Sequence, residues 1–163
     1  VKLDLYTIPE CLGVKVAMAD TRASFMTMEE MMRLVSEIRL GGRLAGKRGF
    51  LHIHLGTLGG AFGMFMDAVK RGIPIEHFRP THCARDLDAA IEFGRAGGML
   101  DFTTDEPEKA ADAVLKAISE GVPEDRITPL TSGITSVPGR FSLTKSVSAG
   151  RCLSLRATWL TAS

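Results

Sequence analysis

Apolar and polar positions follow two different periods along this chain. In "TMEEMMRLVSEIRL", Met28, Met31, Met32, Val35 and Ile38 recur at the spacing of one helix face. Thr27 and Glu30 form a capping-box pattern at its start, and Gly41-Gly42 punctuate its end. The methionines read as a core stripe rather than a thioether metal site. Further helices are expected near 61–71, in "DLDAAIEFGRAG" closed by Gly97-Gly98, and from Pro107, where Ala111, Val114, Leu115 and Ile118 share a face and Gly121 ends the run. Between them lie short runs read as strands: "LGVKVAM" (12–18), "FLHIHL" (50–55), "EHFRPTH" (76–82), "MLDFTT" (99–104) and "RITPLTS" (126–132).

Strand and helix alternate with no hairpin signal, so the expected fold class is α/β, a parallel sheet with crossover helices. Five such strands fit an open doubly wound sheet or just over half of an eight-stranded barrel. In either, chemistry collects at the C-terminal ends of the strands. After Pro138 the periodicity is lost. Residues 1–138 are therefore expected as the folded domain, and 139–163 stay unassigned, as a disordered or non-native tail.

Composition narrows the function classes. The chain has 163 residues, with 20 Lys+Arg against 19 Asp+Glu, so no general attraction to nucleic acid or an anionic membrane follows. Its three cysteines, Cys11, Cys83 and Cys152, are far apart and read as free thiols of a reducing compartment. No apolar run approaches the roughly 20 residues of a membrane span, and no leader pattern opens the chain, which makes a cytoplasmic setting the default. All 19 acidic residues lie at or before Asp125, whereas 126–163 hold thirteen Ser/Thr. That asymmetry suggests a piece of a larger protein.

One near-motif is set aside. "GGRLAGKR" approaches a phosphate-binding loop, but Arg48 stands where that loop needs a Ser or Thr hydroxyl, and the segment leaves a helix to enter a strand. It reads as a helix end and connector.

The candidate chemistry lies at the strand ends: Lys15, His54, His82 and Arg85. Two imidazoles from adjacent parallel strands can converge on one metal ion. A lysine in an apolar strand is costly to bury charged, and is tolerated if neutralised or carboxylated to an anionic carbamate. Spacing alone leaves two readings open, a metal site or hydrogen-bonded core residues. His52 and His54 share a strand face by their two-residue separation.

"LGVKVAMADTRASF", "GGRLAGKRGFLHIHLG", "PIEHFRPTHCARD", "AIEFGRAGGMLDFTT" and "GVPEDRITPLTS" together resemble the isoaspartyl (β-aspartyl) dipeptidases of the amidohydrolase superfamily, in order from about residue 12 to 138. The most specific parts are "PTH" followed by Arg85, and Lys15 followed by "ADTR". The resemblance implies a (β/α)8 TIM-type barrel of which this chain supplies about strands four to eight. It implies a hydrolase with two zinc ions at the strand ends, cleaving small dipeptides with a β-aspartyl linkage, homo-oligomeric when complete. Lys15 would be the carboxylated lysine bridging the metals, with His54 and His82 as ligands of the second zinc. Arg22 and Arg85 would hold substrate carboxylates, and Ser136 would help bind substrate. The implied chemistry is metal-assisted attack on the isopeptide carbonyl, with an aspartate carrying the proton to the leaving amine.

Three departures shape the expectation. No His-x-His precedes Lys15 to hold the first zinc, and "HIH" follows that lysine instead. The glutamate and tyrosine that engage the substrate's amino group and carbonyl have no counterpart. "LTSGIT" carries Gly133 where the family has its catalytic aspartate. The expectation is an incomplete metallodipeptidase, inactive by itself and holding at most one weak zinc. The alternative is a catalytically inactive amidohydrolase-derived module kept for binding or assembly.

Overall fold

A computed structural model describes residues 1–18, 26–56, 59–103 and 107–130, and the backbone of 141–146 and 154–159. Each expected strand forms within its expected run: β1 (Gly13–Ala17), β2 (Phe50–His54), β3 (Phe78–Thr81), β4 (Leu100–Thr103) and β5 (Ile127–Leu130). They make one parallel sheet in sequence order. Helix α1 (Lys2–Thr7) precedes the sheet. The crossovers are α2 (Met28–Leu44), α3 (Ala61–Lys70), α4 (Leu87–Arg95) and α5 (Pro107–Ser119). The fold class is α/β with a parallel sheet, as the alternation of periods predicts.

Helix α2 opens with the predicted capping box. Thr27 Oγ1 accepts from the Glu30 amide at 3.2 Å, and Glu30 Oε2 accepts from the Thr27 amide at 2.8 Å. Its end differs from expectation, because the helix runs through Gly41 and Gly42 to Leu44. Both glycines are buried close-approach positions. A Cβ on Gly41 would lie 2.7 Å from the Lys2 carbonyl oxygen, and one on Gly42 2.9 Å from that of Lys47. The actual stop is Gly46, at φ +70°, with the Lys47 amide returning to the Gly42 carbonyl at 2.7 Å.

Helix α1 is too short to show a period and is not visible in the sequence pattern. It is held by fully buried Leu5 and by Lys47, whose Nζ donates to the carbonyls of Leu5, Ile8 and Cys11 at 2.9, 2.6 and 3.1 Å. The lysine of "GGRLAGKR" is thus a clasp on the α1 turn. The start of "EHFRPTH" is likewise a 3-10 turn, Ile75–His77, rather than strand. His77 is buried there, its Nδ1 2.9 Å from the Gly49 carbonyl.

The two sheet faces differ sharply. Leu51, Ile53, Phe78, Leu100 and Phe102 are buried in one core with Met31, Val35, Ile38, Phe65 and Phe93 of the helices. Phe65 stacks on Phe78 with ring centroids 5.5 Å apart. The other face is polar and its register is fixed. Lys15, His52 and Arg79 form one row across β1–β3, and Ala17, His54, Thr81, Asp101 and Thr128 form the next across β1–β5.

Residues Val1–Thr131 form one compact unit and Ser132–Ser163 another. In the second, β6 (Phe141–Ser146) pairs antiparallel with β7 (Ser154–Trp159), within the stretch left unassigned by the sequence pattern. Among the described residues no helix is long and apolar enough to cross a membrane.

Candidate functional site

His54 ends β2 on the polar face, as its spacing from His52 requires. His82 follows Thr81, the last residue of β3, so a continued strand would aim it at the helix side. Instead it turns into the left-handed region, φ 64° and ψ 35°, the one non-glycine residue with positive φ among those described. That conformation is uncommon outside glycine, with histidine among the more tolerant residues. The turn brings its ring back against His54. Their ring centroids are 4.4 Å apart with planes at 83°, and His54 Nδ1 lies 3.0 Å from His82 Nε2.

The other nitrogen of His82, Nδ1, lies 2.6 Å from Thr103 Oγ1 on β4, and that oxygen is 3.5 Å from Thr81 Oγ1. Thr103 and Thr81 were not singled out in the sequence. The signal was present as the two-residue alternation of polar side chains in "FRPT" and "DFTT", which puts Arg79 and Thr81, and Asp101 and Thr103, on the polar face.

Arg85 sits in the 3-10 turn Cys83–Asp86 directly after His82. Its Nη1 donates to the Gly56 carbonyl at 2.9 Å, tying the turn after β2 to the turn after β3. A cavity of about 450 Å³ adjoins the site, with His82, Arg85 and Thr103 on one side and Lys109, Asp112 and Lys116 of α5 on the other. Lys15 is exposed and stands opposite His52, one row below His54. Arg22 and Ser136 lie outside the described residues, as does Gly133.

The polar face around the histidines is electrostatically tense. Asp101 is 8 % exposed and its Oδ1 has no hydrogen-bond partner, and neither has the buried Nε of Arg79. Burial pushes the Asp101 carboxyl up to about 7, against the opposing pull of Arg79 and Lys15. Desolvation, then the charges of Lys15 and Arg79, lowers the pKa of His52, which favours its neutral form. Arg79 stacks its guanidinium over Phe50, 4.4 Å from the ring centroid. Cys83 is fully buried, which raises its thiol pKa; its Sγ donates to the Pro80 carbonyl at 3.3 Å, so it offers no thiolate.

Among the described residues, no group of three or more His, Cys, Asp or Glu side chains gathers as a metal cage. The His54–His82 pair nevertheless has the right character for two ligands of one ion. Nitrogens sharing a tetrahedral zinc at the usual bond length sit about 3.3 Å apart, close to the 3.0 Å found here. The second nitrogen of His82 already has the hydrogen-bond partner that a metal-bound imidazole ordinarily keeps.

No family model matches the chain. Solved structures do. A β-aspartyl dipeptidase from the thermophilic keratin-degrading Fervidobacterium islandicum AW-1, in complex with β-Asp-Leu dipeptide, matches with a TM-score of 0.75 and 33% identity over 84% of this chain and 38% of that one. A second structure of β-aspartyl dipeptidase from the same organism gives 0.74 and 32% over 81% and 38%. The parallel α/β sheet is therefore of a class found in dipeptidase hydrolases. At the level of the fold the chain is similar to β-aspartyl dipeptidases, and it spans 38% of the length of those it matches.

Proposed function

We propose that this chain is the β/α segment of a zinc-dependent β-aspartyl dipeptidase that carries one side of its active site. The observation behind this reading is the meeting of His54 and His82 at the C-terminal ends of adjacent parallel strands. The polar sheet face then belongs to the interior of a (β/α)8 barrel, with β1–β5 as about strands four to eight. Open parallel sheets rarely leave a face of Lys, His, Arg and Asp uncovered.

In this reading His54 and His82 hold one zinc ion, and Lys15, once carboxylated, reaches up from the row below as a third ligand. A zinc ion held by these residues would supply a Lewis acid for the isopeptide carbonyl. Thr103 orients His82. Arg85 is anchored by one N–H on Gly56, and the rest of its fork is presented to a substrate carboxylate. A β-aspartyl dipeptide carries two carboxylates, so a second cation is required, and Arg22 is assigned to it. Proton transfer to the leaving amine has no group at Gly133. The chain alone is therefore assigned no turnover, since loss of a general base costs on the order of 10²–10⁴-fold in rate. Gly133 also sustains a second reading, an inactive module that binds without hydrolysing.

A chimera separates the two. Residues 12–130 replace the matching segment of the Fervidobacterium dipeptidase, leaving that enzyme's own flanking residues in place. The expected result is hydrolysis of β-Asp-Leu that His54→Ala or His82→Ala abolishes. A folded chimera without turnover supports the binding module instead.

A further inference from the structure

We propose that Thr103 is the positioning residue for His82, its hydroxyl selecting the imidazole tautomer that leaves Nε2 with a lone pair facing His54. This rests on the reading of His54 and His82 as metal ligands, and it adds a residue from a third strand to the site.

The backbone at His82 supplies the first argument. A left-handed residue at the end of a strand is not held by sheet pairing, so its ring direction must be fixed by what the ring touches. The 2.6 Å contact with Thr103 Oγ1 is shorter than the 3.0 Å contact with His54. Thr103 sits on a regular strand paired in register with β5, which makes it the stiffer partner.

The second argument is donor bookkeeping. A hydroxyl has one hydrogen to give. If His82 Nδ1–H donates to Thr103 Oγ1, the Thr103 hydrogen points onward to Thr81 Oγ1, 3.5 Å away. Nε2 is then a lone pair, and in the metal-free protein it accepts from His54 Nδ1–H. If the chain runs the other way, Thr103 donates to His82 Nδ1, and Nε2–H points at His54 and blocks a metal. Only the first polarity makes His82 a ligand, and only a group able to accept at this position sustains it. Valine has threonine's shape and cannot accept, whereas serine can.

The test uses the full chain with Thr103→Val and Thr103→Ser, and reads two quantities. One is the nitrogen-15 pattern of the His82 ring in metal-free protein, assigned with His82→Gln. The other is zinc affinity by competition with a chelator. Thr103→Val is expected to change the His82 pattern from a single Nδ1–H tautomer to a mixture and to weaken zinc binding about 10-fold or more. Thr103→Ser is expected to keep the wild-type pattern and hold affinity within about 2-fold. An unchanged tautomer in Thr103→Val overturns the proposal, whatever the zinc result. Wild-type protein that binds no zinc, yet shows the tautomer change in Thr103→Val, upholds the role of Thr103 and rejects the metal reading. Near-identical thermal melts of the three proteins confirm that folding is not what differs.

Discussion

Ala17, and not Lys15, is the residue of β1 that stands directly opposite His54. Lys15 is paired with His52, so its Nζ must rise past one row of the polar face to approach the histidine pair. A long unbranched side chain can do this, and the charge of Lys15 already bears on the face, repelling a proton from His52 and favouring the ionised form of Asp101. A carbamate would lengthen it further and reverse its charge. Added bicarbonate should therefore tighten zinc binding by the chain and leave Lys15→Arg unaffected. Equal responses in the two proteins would remove Lys15 from the ligand set.

Asp101 gives the chain a pH signature. Its folded pKa, about 7, lies above the unfolded 3.8, so the folded chain holds the proton more tightly. The stability this contributes is complete below about pH 4 and is lost as pH rises towards 7, amounting to roughly 2–4 kcal/mol. His52 works with the opposite sign, because its lowered pKa favours the folded state above its ordinary value. Comparison with Asp101→Asn isolates the carboxyl. Urea midpoints between pH 4 and 8 should fall less steeply in the variant, and parallel profiles would refute the assignment.

Lys47 is predicted to hold α1 in place. Lys47→Met removes three donated hydrogen bonds to the carbonyls of Leu5, Ile8 and Cys11, of which that of Ile8 also accepts from the Cys11 amide. Charge-assisted bonds of this kind are worth on the order of 1.5–3 kcal/mol, less where exposed. The variant should lose roughly 1–3 kcal/mol and show faster amide exchange through residues 2–11. Exchange unchanged there would mean that Leu5 packing alone docks the helix.

These residues also mark how far the sequence can be read. The faces of β2 and α2 were legible because burial imposes a period, two or 3.6, that each displays, and the other strands were legible as short runs between helices. Gly41-Gly42 misled, because glycine ends helices and also allows close approach, and the local pattern cannot say which. Helix α1 was invisible, since Lys47 secures it from 36 to 42 residues away. At the site, His54 could be placed on its face by counting from His52. His82 could not, because alternation puts the residue after Thr81 on the opposite face, and only its left-handed turn returns it. Thr103 escaped for a related reason: its role depends on a hydrogen bond across two strands, while its own strand offers only a β-former in a suitable place. Arg22 and Ser136 lie outside the described residues.

The central claim is that His54 and His82 form one metal-binding pair, and zinc titration of the full chain with each alanine variant tests it most directly. The account predicts about one zinc per chain, with His54→Ala and His82→Ala each weakening it about 10-fold or more. The double variant should be little worse than either single one, since two ligands of one ion act as a unit. Affinity unchanged in both single variants would contradict the claim.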